Sequence, residues 1–120
     1  LTIIGLIILG GAIYFSYRNT NRTASGEITI IVVDETGTEI INDEKSFDKG
    51  ETMMDILERN YDIEVDNGFL IRIEEVEARD RRVDFIKIWI NDQPSQKGIM
   101  QMSFGDGDII KFKYTKVGEE

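Results

Sequence analysis

Apolar and polar positions divide the chain into one unbroken greasy stretch and a series of shorter alternating ones. "LTIIGLIILGGAIYFSY" (1–17) holds no charge. As a helix with ~1.5 Å rise per residue it would be roughly 26 Å long, close to a hydrocarbon core of ~30 Å. Tyr14 and Tyr17 fall at its edge, where aromatic rings favour the interface. The pattern predicts a transmembrane anchor over 1–17; a cleaved leader ending after Ser25 is the rival reading. "RNTNRTASG" (18–26) is polar and unpatterned and reads as a linker.

From Glu27 the periods shorten. "EITIIVVD" (27–34) is β-branched and reads as a strand buried on both faces. A turn around Gly37 leads to a second strand over 39–47, giving a hairpin. "ETMMDILERNY" (51–61) has Met53, Ile56, Leu57 and Tyr61 at helical spacing. Thr52 is placed to cap this helix, with Asp55 completing a capping box. "FLIRIEEVEA" (69–78) reads as one strand, and the charged "ARDRRVD" (78–84) as a solvated hairpin tip. "DFIKIWIND" (84–92) puts Ile86, Ile88 and Ile90 on one face and Phe85, Lys87, Trp89 and Asn91 on the other. "IIKFKY" (109–114) turns Ile110, Phe112 and Tyr114 inward. The order β-β-α-β-β-loop-β predicts an α+β domain: a β-grasp-like mixed sheet with one helix, preceded by the N-terminal transmembrane helix. The boundaries expected are anchor 1–17, linker 18–26, domain 27–117 and tail 118–120.

Composition narrows the chemistry. With 23 acidic against 14 basic residues the net charge is −9, which repels phosphate backbones and argues against nucleic-acid partners. The chain has no His and no Cys. That removes imidazole bases, thiol nucleophiles, disulfides and the usual zinc ligand sets. No phosphate-binding glycine loop is present, and the carboxylates of "RIEEVE" (72–77) occupy no recognisable cleft, so the protein is expected not to be an enzyme. "GDGDII" (105–110) reads as a turn feeding a strand. The alternative is a cation site on Asp106 and Asp108, although calcium needs more oxygens than these two supply.

Three stretches carry a resemblance: "TMMDIL" (52–57), "GFLIRIEEV" (68–76) and "WINDQPSQKGIMQMSFGDGDIIKFKY" (89–114). They resemble the transcobalamin-like C-terminal domain family over roughly residues 27–115. The strongest part is the spacing Asn91…Gly98…Gly107-Asp108-x-Ile110…Tyr114; the family's Asn-Gly turn is Asn91-Asp92 here. The resemblance implies a β-grasp-like sheet and, from the animal cobalamin carriers, a small domain that closes over a corrinoid from one side. Cobalamin is therefore the cofactor to consider. The expected function is a membrane-anchored, single-pass extracellular binding module that captures a corrinoid or other metallo-cofactor beside a membrane transporter. Candidate ligand-binding residues are Phe85, Trp89 and Asn91, with Met100, Met102 and Phe104 as an alternating lid. The alternatives are a protein–protein interaction or structural module at the cell surface, or a calcium-binding domain.

Overall fold

The computed structural model describes residues 25–119. The predicted anchor over 1–17 and most of the linker lie outside the described residues. Among the described residues no helix is long and apolar enough to cross a membrane.

Among the described residues eight strands and one helix follow in order: β1 (Gly26–Val33), β2 (Glu39–Phe47), α1 (Met53–Asn60), β3 (Ile63–Asp66), β4 (Phe69–Ile73), β5 (Val76–Glu77), β6 (Asp84–Ile90), β7 (Gln93–Pro94) and β8 (Ile109–Lys116). A five-stranded sheet has the order β2-β1-β8-β6-β7, and a three-stranded sheet the order β3-β4-β5. β1 and β8 run parallel at the centre, with Thr29 opposite Ile109 and Val33 opposite Lys113. All other pairings are antiparallel. A hairpin, one helix and a returning central strand parallel to the first make the arrangement expected of a β-grasp-like fold.

The hairpin and the helix form where the pattern places them. Thr52 Oγ1 accepts from Asp55 N at 3.1 Å, and Thr52 N donates to Asp55 Oδ2 at 2.9 Å, so the capping box is complete. Two orphan amides of the first turn are thereby satisfied. The helix then drives Met53, Ile56 and Leu57, all fully buried, onto the inner face of the large sheet. That face is built from Ile28, Ile30 and Val32 of β1 and Ile110 and Phe112 of β8, each at 0–1% exposure.

Three expectations need correction. β1 is wholly buried on one face only; Thr29 and Ile31 on the other are half-buried and Glu27 is exposed. The single strand read over 69–78 is two strands, broken at Glu74 and Glu75, where Glu74 has φ 52. Glu75 therefore sits in that turn rather than in a strand. β3 was not foreseen. It pairs with β4 through Asn67 and Gly68, both at positive φ, as a two-residue hairpin turn demands. In consequence the charged segment 78–84 is no hairpin tip: it links β5 of the small sheet to β6 of the large one.

Candidate functional site

Where the two sheets meet, a cleft of about 320 Å³ opens between β4, β6 and the segment 95–99. Its walls follow from the strand periods. β6 presents Ile86 and Ile88 on the core face, and Phe85 near the start of the strand also lines the cleft. β4 contributes Phe69, Leu70 and Ile71. The third wall is held by close backbone approach: Gly98 lies so near the Gly68 carbonyl that an added Cβ would sit 3.3 Å from that oxygen. Ser95 N donates to Ile88 O at 2.8 Å, which ties the start of this wall to β6. Ile99, 1% exposed, anchors its other end in the core.

Ser95 and Gln96 add neutral polar groups to the cleft, and its charged groups are cationic. Arg81 and Lys97 both line it. The Arg81 guanidinium stands 4.2 Å from the centroid of Phe69, a ring that is 51% exposed.

A second, acidic cleft of about 350 Å³ is lined by Asp34, Glu35, Glu75, Glu77, Val76 and Tyr114. Its groups are largely engaged with their own surroundings. Asp34 Oδ1 accepts from Thr36 N, Thr36 Oγ1 and Thr38 N, and the Thr36 hydroxyl above all holds its carboxyl below the usual range. Tyr114 donates to Asp84 Oδ2 at 2.7 Å, which pushes the phenol up to about 12. Among the described residues no group of three or more His, Cys, Asp or Glu is arranged to hold a metal ion.

The sequence-predicted site residues fall in separate places. Phe85 lines the apolar cleft. Trp89 lies on the opposite face of the large sheet, opposite Lys111 in register, with Lys87 Nζ 4.7 Å from its ring centroid. Its shielded indole Nε1 donates to no group among the described residues. Asn91, at φ 49, forms the β6–β7 turn and bridges to β8: its Nδ2 donates to Asp108 Oδ1 at 2.9 Å, and its Oδ1 accepts from Ile109 N at 2.8 Å. Met102 is buried in the core, and Phe104 packs edge-on against Phe47 at 5.1 Å. Met100 is 55% exposed, beside Gly68 near the cleft. The alternation of 100, 102 and 104 therefore does not form one surface.

Asp106 and Asp108 are engaged locally. Asp106 Oδ1 accepts from Glu27 N at 2.8 Å, and Asp108 Oδ2 accepts from Gly105 N at 2.8 Å. Gly107 N donates to Glu27 O, and Asp108 O accepts from Thr29 N. The acidic glycine segment is a turn that staples the start of β1 beside β8. Gly26 has to be glycine there, because a Cβ would meet the Asp106 side chain at 2.8 Å.

Sequence reasoning missed β4, Arg81 and the 95–99 wall as parts of one cleft. The readable signal was "DNGF" (66–69), where Asn-Gly between alternating segments marks a hairpin. That hairpin is what brings Phe69 and Leu70 against β6.

Comparison with known proteins agrees with this architecture. A provisionally assigned metal-binding protein from Ruminococcus gnavus ATCC 29149 superposes with a TM-score of 0.59 at 21% identity, over 76% of this chain and 97% of its own. Haptocorrin, solved in complex with Cbi, superposes with a TM-score of 0.64 at 10% identity. That match spans 80% of this chain but only 26% of haptocorrin. At such identities the likeness concerns the fold. No curated protein sequence matches the chain significantly. The family model described as "Domain of unknown function (DUF4430)" matches residues 50–116, which hold α1, the small sheet, the cleft and β8. The chain therefore belongs to the DUF4430 family, a transcobalamin-like family.

Proposed function

We propose that the domain is a non-catalytic binding module that receives a small ligand in the cleft between β4 and β6. The observation that carries this reading is the cleft itself: an apolar-walled opening of about 320 Å³ at the junction of two sheets, with two cations, Arg81 and Lys97, in its lining. Concave, largely apolar sites with a few placed polar groups are the usual form of small-molecule sites. A corrinoid or other metallo-cofactor is the first ligand to test, supported by the fold shared with haptocorrin and with the Ruminococcus protein. A cleft of this size would cover one edge of a corrinoid rather than enclose it. The module is displayed outside the cell on the anchor expected over residues 1–17, and hands its ligand to a neighbouring transporter.

The test is a residue-resolved NMR titration with cobinamide, cobalamin and haem. The expected result is a set of amide shifts at 68–71, 85–88 and 95–99, weakened several-fold in affinity by Phe85→Ala. Shifts confined to the acidic cleft or to the Trp89 face would sink the assignment of the site.

A second reading rests on β2. This nine-residue strand is the edge of the large sheet and pairs only with β1. An open edge accepts an added strand from a partner protein. Its Glu39, Asp43, Glu44 and Lys45 are of the kind that discourages such pairing, so the cleft carries the better case.

A further inference from the structure

The cleft is charged against the rest of the chain. The protein carries 23 acidic residues and a net charge of −9, yet no Asp or Glu lines the cleft, while Arg81 and Lys97 do. The other arginines of the described residues are all committed to carboxylates: Arg59 to Glu51, Arg72 to Asp62 and Glu64, Arg79 to Glu64 and Glu77, and Arg82 to Asp80, at 2.7–3.1 Å. Among the described residues neither Arg81 nor Lys97 has a carboxylate partner within 4.0 Å. Both are exposed and solvated, so in this acidic protein they stand at one apolar cleft with no carboxylate to displace before an anion binds.

Arg81 is also held in a useful pose. Stacked on Phe69, its guanidinium loses little freedom on binding and keeps its planar fork for the two oxygens of a carboxylate or phosphate. Apolar walls lower the local dielectric and strengthen any ion pair formed at their rim. We infer that the cleft takes an amphipathic anion: a compact apolar body against Leu70, Ile86 and Ile88, with its acidic group at Arg81 and Lys97. Such an occupant is a free medium-chain or aromatic monoacid, a second ligand class beside the corrinoids for the same cleft, rather than a membrane surface, because the apolar residues form a concave cleft and not a flat patch. This inference rests on the cleft being the binding site.

The experiment uses the full chain, with octanoate, octanol and phosphatidylglycerol vesicles as probes, followed by NMR and calorimetry. Octanoate is expected to shift the amides of 68–71, 85–88 and 95–99 and to bind about 10- to 100-fold more tightly than octanol, the range of a charge-assisted contact. Arg81→Gln combined with Lys97→Gln should bring octanoate down to octanol's affinity and leave octanol's own unchanged, at an unaltered melting temperature. If both probes shift the cleft amides with equal affinity, the anion inference is overturned while the cleft reading stands. Vesicle-induced shifts of those same cleft amides, as distinct from vesicle attachment through the anchor expected over 1–17, with octanoate silent overturn it in favour of a membrane surface. Silence of every probe overturns it as well, and if the corrinoid panel is also silent the cleft reading falls with it.

Discussion

The two sheets of this domain are held together by different means. The large sheet lies on a continuous apolar face, in which Ile28, Ile30, Val32, Ile110 and Phe112 meet the underside of α1. The small sheet sends Leu70, Ile73 and Val76 into the same core, but its strands are laced together by charge. Arg72 reaches three acceptors at once: Asp62 Oδ1 just before β3 at 2.9 Å, Glu64 Oε1 on β3 at 2.8 Å and the Glu74 carbonyl just after β4 at 2.9 Å. Arg79 adds Glu64 at 2.7 Å and Glu77 at 3.0 Å. The difference has a physical origin. A sheet of five strands with a helix across it can bury its inner face, whereas strands of four, five and two residues have too little apolar area and must find partners for their polar groups locally. Apolar burial is indifferent to pH and strengthened by salt; ion pairs respond to both. One wall of the candidate cleft therefore rests on the steady sheet, and the other on the conditional one.

The strongest way to break this contrast is Phe112→Ala. Phe112 is fully buried in the central strand, and truncation should cost about 3–5 kcal/mol, loosening both sheets together in a thermal melt. If only the small sheet loosened, the shared core would be the wrong description.

Acid should separate the sheets. Hydrogen bonds from Arg79 and Arg72 hold the Glu64 carboxyl down at about 2, below the ~4.3 of an unfolded chain. A depressed acid contributes stability above its unfolded value and loses it as the pH falls toward the folded one. Between about pH 4.5 and 2, NMR signals of β3, β4 and β5 should therefore broaden or shift before those of β1 and β8. Arg72→Met should lower the small sheet's stability at neutral pH by less than the Phe112 loss and flatten its acid response. Uniform loss across both sheets would remove the ionic account.

The smallest effect sharpens the contrast from the other side. Asp92 sits at φ 67 in the β6–β7 turn, in the left-handed region that favours glycine. Asp92→Gly should stabilise the large sheet by roughly 0.5–1 kcal/mol. Its exposed contact with Lys111, at 3.9 Å, is worth little. The melting temperature is the readout, and the acid response of the small sheet should not change.

The same contrast explains what was legible. The large sheet and α1 announce themselves because burial writes a period into the residues, and Thr52 with Asp55 marks the helix start. The small sheet writes a period that does not mark where its strands break. "FLIRIEEVEA" alternates smoothly through the point where Glu74 turns the chain, since a charged residue suits a turn as well as an exposed strand position. Asn67-Gly68 was the local clue, and it locates the β3–β4 hairpin without saying what the hairpin packs against. The candidate site was legible only in Phe85. Arg81 reads as one more charge in "ARDRRVD"; its isolation from carboxylates emerges only when its neighbours are placed.

The Asp106 staple gives the domain a direction. Gly26 enters beside the 105–108 turn and the Asn91 corner, whereas Asp84 pairs with Lys116 at the far end, next to the segment that carries Arg81. A sensor chip, bead or fusion partner joined ahead of Gly26 would thus leave the Arg81 end facing open solution. The same attachment made after Lys116 would crowd it, so the two orientations should differ in capture efficiency even though the folded domain is the same.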